Sequence, residues 1–223
     1  MTPSRVGPGE PLAGSDDSPA PQSAPSRQAL PSASDKPQVT SIGPDFEMDC
    51  ILRIAGGDRS AFEQLFRSYH KRLFRYLCRM LSKADAAEEL ASDVLFEVWK
   101  RASGFRGESK VSTWIFGIAR FRAISWLRKS NPKLVDLDDA AMVCDSHELQ
   151  DEVLVKASTR EAVRGALGKL TPQHQEVMEL TFYQGFSYPE IATILACPVN
   201  TVKTRMFYAR KELRDLLREE GSI

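Results

Sequence analysis

Residues Ser187 to Arg210, SYPEIATILACPVNTVKTRMFYAR, admit little other than two short helices joined by one tight turn. Ser187 and Glu190 have capping-box spacing, which opens a helix by satisfying its first N–H groups. Pro198 suits the start of the next helix, where a missing N–H costs nothing. Ile191, Ile194, Leu195, Val202, Met206 and Leu213 then recur at spacings that pack the two helices together. That is a helix-turn-helix. Asn200, Thr201, Lys203, Thr204, Phe207 and Tyr208 are left over, and amides, hydroxyls and cations of this kind read base edges in the major groove. Arg205 and Arg210 are better placed for phosphates, which position without specifying sequence. The plain alternative is a helical hairpin with a solvated basic face.

A second block has a different character. Phe105, Trp114, Phe116, Phe121 and Trp126 interleave with Arg106, Lys110, Arg120, Arg122, Arg128 and Lys129. Aromatics among cations suit single-stranded nucleic acid, because every base offers a face for stacking, worth about 1–3 kcal/mol. Extruding a base from a duplex costs a few kcal/mol, so one or two stacked bases offset it. At helical spacing, Trp114 and Trp126 are more often core than base platform.

The remaining pattern is helical. Phe62, Leu65, Phe66, Tyr69, Leu73, Phe74, Leu77 and Leu81 form one wide apolar stripe, entered by Ser60 and Glu63 as a capping box or by Asp58 as a competing cap. A helix is expected from about Ala84 to Arg101, a loop over Ser103–Lys110, and a helix from about Ser112 to Lys129, stopped by Asn131-Pro132. In the first of these, Glu88, Glu89 and Asp93 form an acidic stripe beside Leu90 and Val94, which read as exposed. A solvated face is the default for such a stripe, and a docking surface for a basic protein is the sharper reading. Helices resume near Thr159, with Thr171-Pro172 as a cap and first turn, and the last helix runs to about Arg218. No strand-like alternation competes.

Composition divides the chain. Nine of the 13 prolines fall in residues 1–45, a Ser/Ala/Gly-rich segment that cannot bury enough surface to fold and reads as a disordered tail. Residues 46–132 hold 16 Lys/Arg against 10 Asp/Glu, a basic domain. Residues 133–156 hold two Lys against seven Asp/Glu and read as an acidic flexible linker. Residues 157–223 form the helix-turn-helix domain. The fold class is therefore all-α, two small helical domains on one linker. Four scattered cysteines and three histidines show no metal-ligand spacing, so no metal or cofactor is expected. No paired carboxylates, nucleophile motif or phosphate loop points to an enzyme, a catalytic residue or a small-molecule substrate. Neither a transmembrane run nor a signal peptide is present, and a cytoplasmic, nucleoid-associated protein is expected.

The segments AEELASDVLFEVW (Ala87–Trp99), FRGESKVSTWIFGIARFRAISWLRK (Phe105–Lys129), LTPQHQEVMEL and EIATILACPVNTVKTRMFYAR, in this order around an acidic linker, resemble the bacterial extracytoplasmic-function sigma factors. The resemblance covers about residues 49–130 and 157–218. It implies that Glu89, Leu90, Asp93 and Val94 dock on the β′ clamp of core RNA polymerase, with a further contact to the β flap. It implies that the Phe105–Thr113 loop and the Arg120–Trp126 helix melt the promoter −10 element, and that the last helix reads the −35 element through Lys203, Thr204, Phe207 and Tyr208. Promoter DNA, core polymerase and an anti-sigma factor are the implied partners. Phe121 stands where many relatives carry Asn, and Asn200 where Gly is frequent. A stand-alone helix-turn-helix regulator is the alternative, but the chain offers no dimerising heptad and no ligand-domain pattern.

Overall fold

The computed structural model describes residues 43–81, 83–130 and 157–219. The expected disordered tail, apart from its last three residues, and the acidic linker lie outside them. Every regular element among the described residues is helical.

The first helix, α1 (Pro44–Ala55), starts within the segment read as tail. Pro44 sits in its first turn, Asp45 and Glu47 meet the positive end of its dipole, and Arg53 lies in its last turn. Gly57, at φ +85°, turns the chain in a conformation that only glycine adopts without strain. Asp58 rather than Ser60 then caps α2 (Arg59–Leu81), accepting the N–H of Ser60 at 2.8 Å and of Ala61 at 3.2 Å. The same carboxylate takes the Arg53 guanidinium at 2.7 Å, which ties α1 to α2. Arg53 and these two amides hold the Asp58 carboxyl below its ordinary pKa.

Along α2 the buried face is Ala61, Leu65, Tyr69, Leu73, Tyr76, Leu77, Met80 and Leu81. It packs on α3 (Ala84–Arg101), whose inner face includes Leu90, Ala91, Val94, Leu95 and Val98. Burying each large apolar side chain is worth about 1.5–3 kcal/mol, so this face dominates the stability of the bundle. A short 3-10 turn (Ala102–Gly104) and a loop lead to α4 (Val111–Ser130), which lies across α2 and α3. Glu47 of α1 is buried here, accepting a hydrogen bond from Tyr69 at 2.5 Å. Burial pushes the Glu47 carboxyl above its ordinary pKa, against the bond from Tyr69.

The second group comprises α5 (Ala157–Lys169), α6 (Pro172–Met178), α7 (Tyr188–Leu195) and α8 (Val199–Glu219). Thr171 caps α6, with Pro172 in the first turn. A π-helical turn, Glu179–Tyr183, extends α6 before Gly185 reverses the chain at φ +75°. The Ser187–Glu190 box opens α7. Ile191, Ile194 and Leu195 of α7 meet Val202, Met206 and Ala209 of α8. Of the three residues between the two helices, Ala196 is left-handed, at φ 52° and ψ 46°.

The two groups touch. Helix α4 lies against α7, and the Phe116 ring meets Phe186 edge-on at 5.0 Å. The apolar core is continuous through that contact.

Candidate nucleic-acid and polymerase interfaces

Helix α8 presents the left-over residues together. Asn200, Lys203, Thr204, Phe207, Tyr208 and Arg210 are exposed, whereas Thr201 and Arg205 are half-buried. Phe207 and Tyr208 stand edge to face at 5.4 Å. Two adjacent large aromatics in solvent are unusual, and no core accounts for them. The Thr204 hydroxyl donates to the Asn200 carbonyl at 2.9 Å, leaving its oxygen as an acceptor. Arg210 lies 5.7 Å from the centre of the exposed Phe182 ring, a cation–π contact that steadies the guanidinium. The helix-turn-helix thus carries a polar, aromatic and cationic outer face on an apolar inner one.

The aromatic-cationic block separates into three parts. Phe121 is 68% exposed, and Arg106, Lys110 and Arg122 are also on the surface. Phe105 and Trp114 pack on each other at 4.8 Å and are half-buried, as is Trp126, with the Lys83 ammonium 5.7 Å from its ring. Both tryptophans therefore have one side against the core, so neither stands free as a platform.

Arg120 corrects the expectation. It points inward, and its Nε donates to Glu176 of α6 at 2.9 Å. Burial opposes its charge most strongly, but Glu176 together with its other neighbours outweighs burial and holds its pKa up. Other cations of the block are also paired. Arg122 donates to Glu97 at 2.5 Å, and the same carboxylate takes Arg101 from the next turn of α3. Lys110 Nζ lies 2.7 Å from Glu190 Oε1. The Glu190 bond raises the pKa of Lys110. Burial pulls the Glu190 carboxyl up, but Lys110 and Ser187 outweigh it and the result is a lowered pKa.

On α3, Glu89 and Asp93 are exposed as expected, but Leu90 and Val94 are not, at 8% and 0% exposure. Both belong to the stripe that packs on α2, so they shape the helix rather than face a partner. Phe96 stands in their place. It is 54% exposed with the Lys100 ammonium 4.2 Å from its ring. Glu89, Asp93, Phe96 and Lys100 follow at four, three and four residues, one helix face. The same four-three-four spacing stands in the sequence, where Phe96 lies among acidic neighbours.

Among the described residues, no group of His, Cys, Asp and Glu could hold a metal ion. Nor is any helix there long and apolar enough to cross a membrane.

Two family models match the chain: Sigma-70 region 2 over residues 65–132 and Sigma-70 region 4 over residues 160–213. The first spans most of α2 with α3 and α4, and the second runs from α5 into α8. RNA polymerase sigma factor YlaC of Bacillus subtilis is 31% identical over 170 residues, covering 74% of this chain and 98% of YlaC. The ECF RNA polymerase sigma factor SigK of Mycobacterium tuberculosis is 28% identical over 176 residues, covering 77% and 94%. Among solved structures, the sigma factor RpoE of Bartonella quintana, bound to the anti-sigma factor NepR, matches with a TM-score of 0.57 at 28% identity over 70% of this chain and 96% of that one. Two sigma regions in the same order, on the same all-helical fold, at near full length of these relatives, identify the chain as a member of the extracytoplasmic-function RNA polymerase sigma factors, non-catalytic proteins that direct transcription initiation.

Proposed function

We propose that residues 46–132 anchor the chain on core polymerase and hold the melted −10 strand, that residues 157–223 read the −35 element, and that residues 133–156 are the acidic linker between them. The observation that carries this division is the pair of outer faces with different chemistry. Helix α8 exposes Asn200, Lys203, Thr204, Phe207 and Tyr208, a set suited to base edges. Helix α4 and the loop before it expose Phe121 and Arg106, a set suited to an unstacked strand. The −10 surface comprises Phe105, Arg106, Lys110, Trp114, Phe121, Arg122 and Trp126, joined by Arg120 only where its bond to Glu176 is released. In the −35 reader, half-buried Thr201 borders the base-reading set, and Arg205 and Arg210 add the phosphate contacts.

Polymerase docking falls to the α3 face, Glu89 and Asp93 with Phe96 beside them, set on the helix by buried Leu90 and Val94. An acidic face with one exposed aromatic fits a basic coiled-coil partner on the β′ clamp, and the C-terminal domain meets the β flap. Control by an anti-sigma factor is supported by the Bartonella relative, which was solved with one. Such a protein works in the cytoplasm, at the nucleoid.

The test is co-elution of the full chain with sigma-free core polymerase in size-exclusion chromatography. Wild type co-elutes one to one. Asp93→Arg, on an exposed position, keeps its helical content and loses co-elution. Normal co-elution of that variant removes the α3 face from the model.

A further inference from the structure

The contact between α2–α4 and α6–α7 uses up cations that a melted strand needs. Glu176 Oε1 accepts from Arg120 Nε at 2.9 Å and from Tyr76 Oη at 3.1 Å. Glu190 Oε1 takes Lys110 Nζ at 2.7 Å. Arg79 pairs with Glu179, and its guanidinium lies 3.9 Å from the centre of the Tyr183 ring. Arg72 reaches the Gln184 carbonyl at 3.5 Å. Every cation comes from α2, α4 or the loop before α4, and every anion from the C-terminal group. The contact is one-sided in sign, as a protein–phosphate contact is.

Glu176 and Glu179 are 6% and 3% exposed. Burying charge removes hydration that an ion pair only about recovers, so the charged part of the contact adds little net gain to closure. An interface built of Phe116–Phe186 packing alone would favour closure more strongly. The mixture found here suits a contact that has to open.

We propose that this contact is an internal latch, in which Glu176 and Glu190 occupy Arg120 and Lys110 as backbone phosphates of the melted strand would, so that the free chain is closed to single-stranded DNA until the latch is displaced. The inference rests on the reading that Lys110 and Arg120 meet the melted strand. Strand binding and latch closure compete for the same two side chains, so each weakens the other by the same factor. If the closed form holds about nine-tenths of the free chain, removing the latch tightens strand binding about tenfold.

The test uses the full chain carrying Glu176→Gln and Glu190→Gln. Both amides keep side-chain size, and glutamine still serves at the third position of a capping box. Small-angle X-ray scattering reads opening, and fluorescence anisotropy with a labelled oligothymidylate strand reads binding. Glu63→Gln with Glu219→Gln, two exposed positions, gives the same change of charge away from the contact. The expected result is a larger radius of gyration at unchanged helical content, with about tenfold tighter binding than this control. Unchanged dimensions overturn the latch and leave the promoter reading standing, because the Asp93→Arg test is independent of it. Opening with no gain over the control overturns the competition, and with it the placement of Lys110 and Arg120 on the strand. Should the double variant lose helical content, Glu190→Gln alone carries the same test.

Discussion

Replacing Phe121 by alanine separates function from stability on α4. The ring is 68% exposed, so its removal leaves no cavity. Surface substitutions of this kind change stability by about 0.5 kcal/mol or less, and alanine's higher helix propensity returns a few tenths. The bond from Ser125 Oγ to the Phe121 carbonyl, 2.9 Å, belongs to the backbone and survives. What is lost is a stacking face. At about 1–3 kcal/mol per base, open-complex formation falls about 5- to 150-fold. The assay is 2-aminopurine fluorescence in the −10 element of a cognate promoter with reconstituted holoenzyme, run beside urea unfolding of the free chain. Full promoter opening by the variant removes Phe121 from the strand-binding surface. An unfolding midpoint that falls in step with activity shows that the ring is structural, which contradicts its exposure.

Two further predictions concern the scaffold. Ala196 sits left-handed between α7 and α8, which costs an L-residue about 1–2 kcal/mol, while glycine adds about 0.5–1 kcal/mol of chain entropy to be lost. Ala196→Gly is therefore stabilising by about 0.5–1 kcal/mol in urea unfolding. A loss of stability would mean that the strain is absent. Glu47 has its folded pKa raised by burial, so the folded chain holds a proton that the unfolded chain releases. Its contribution to stability is present below the ordinary carboxyl value of 4.5 and lost as pH rises through the raised folded value. Glu47→Gln removes that slope. The stability of the variant relative to wild type is greater at pH 7 than at pH 4, below the ordinary carboxyl value, and equal differences at the two pH values refute the assignment.

How far the sequence alone reaches depends on how local the physics is. The helix-turn-helix was readable because its caps are local. Thr171-Pro172 and Ser187 with Glu190 act over three residues, and each appears in the structure where the spacing puts it. Helix α1 was missed because Pro44 closes a proline-rich stretch, so composition over a window hid a proline that opens a helix. Leu90 and Val94 were read as exposed from acidic neighbours, yet their four-residue spacing places both on the stripe that packs against α2.

Arg120 is the instructive failure. Its partner, Glu176, lies 56 residues further along the chain, and no local pattern joins them. A charge in a sequence announces that it needs a counter-charge, and does not say which one. Counting cations on a helix therefore overstates the surface offered to nucleic acid wherever a second domain brings carboxylates of its own. The same partner makes the count meaningful again. A cation that the fold holds against a carboxylate, in an ion pair that itself adds little net stability, is already placed and oriented for an anion. On the latch proposal, Arg120 and Lys110 serve both the closed chain and its promoter-bound form, and the choice between the two is set by which anion binds them more tightly.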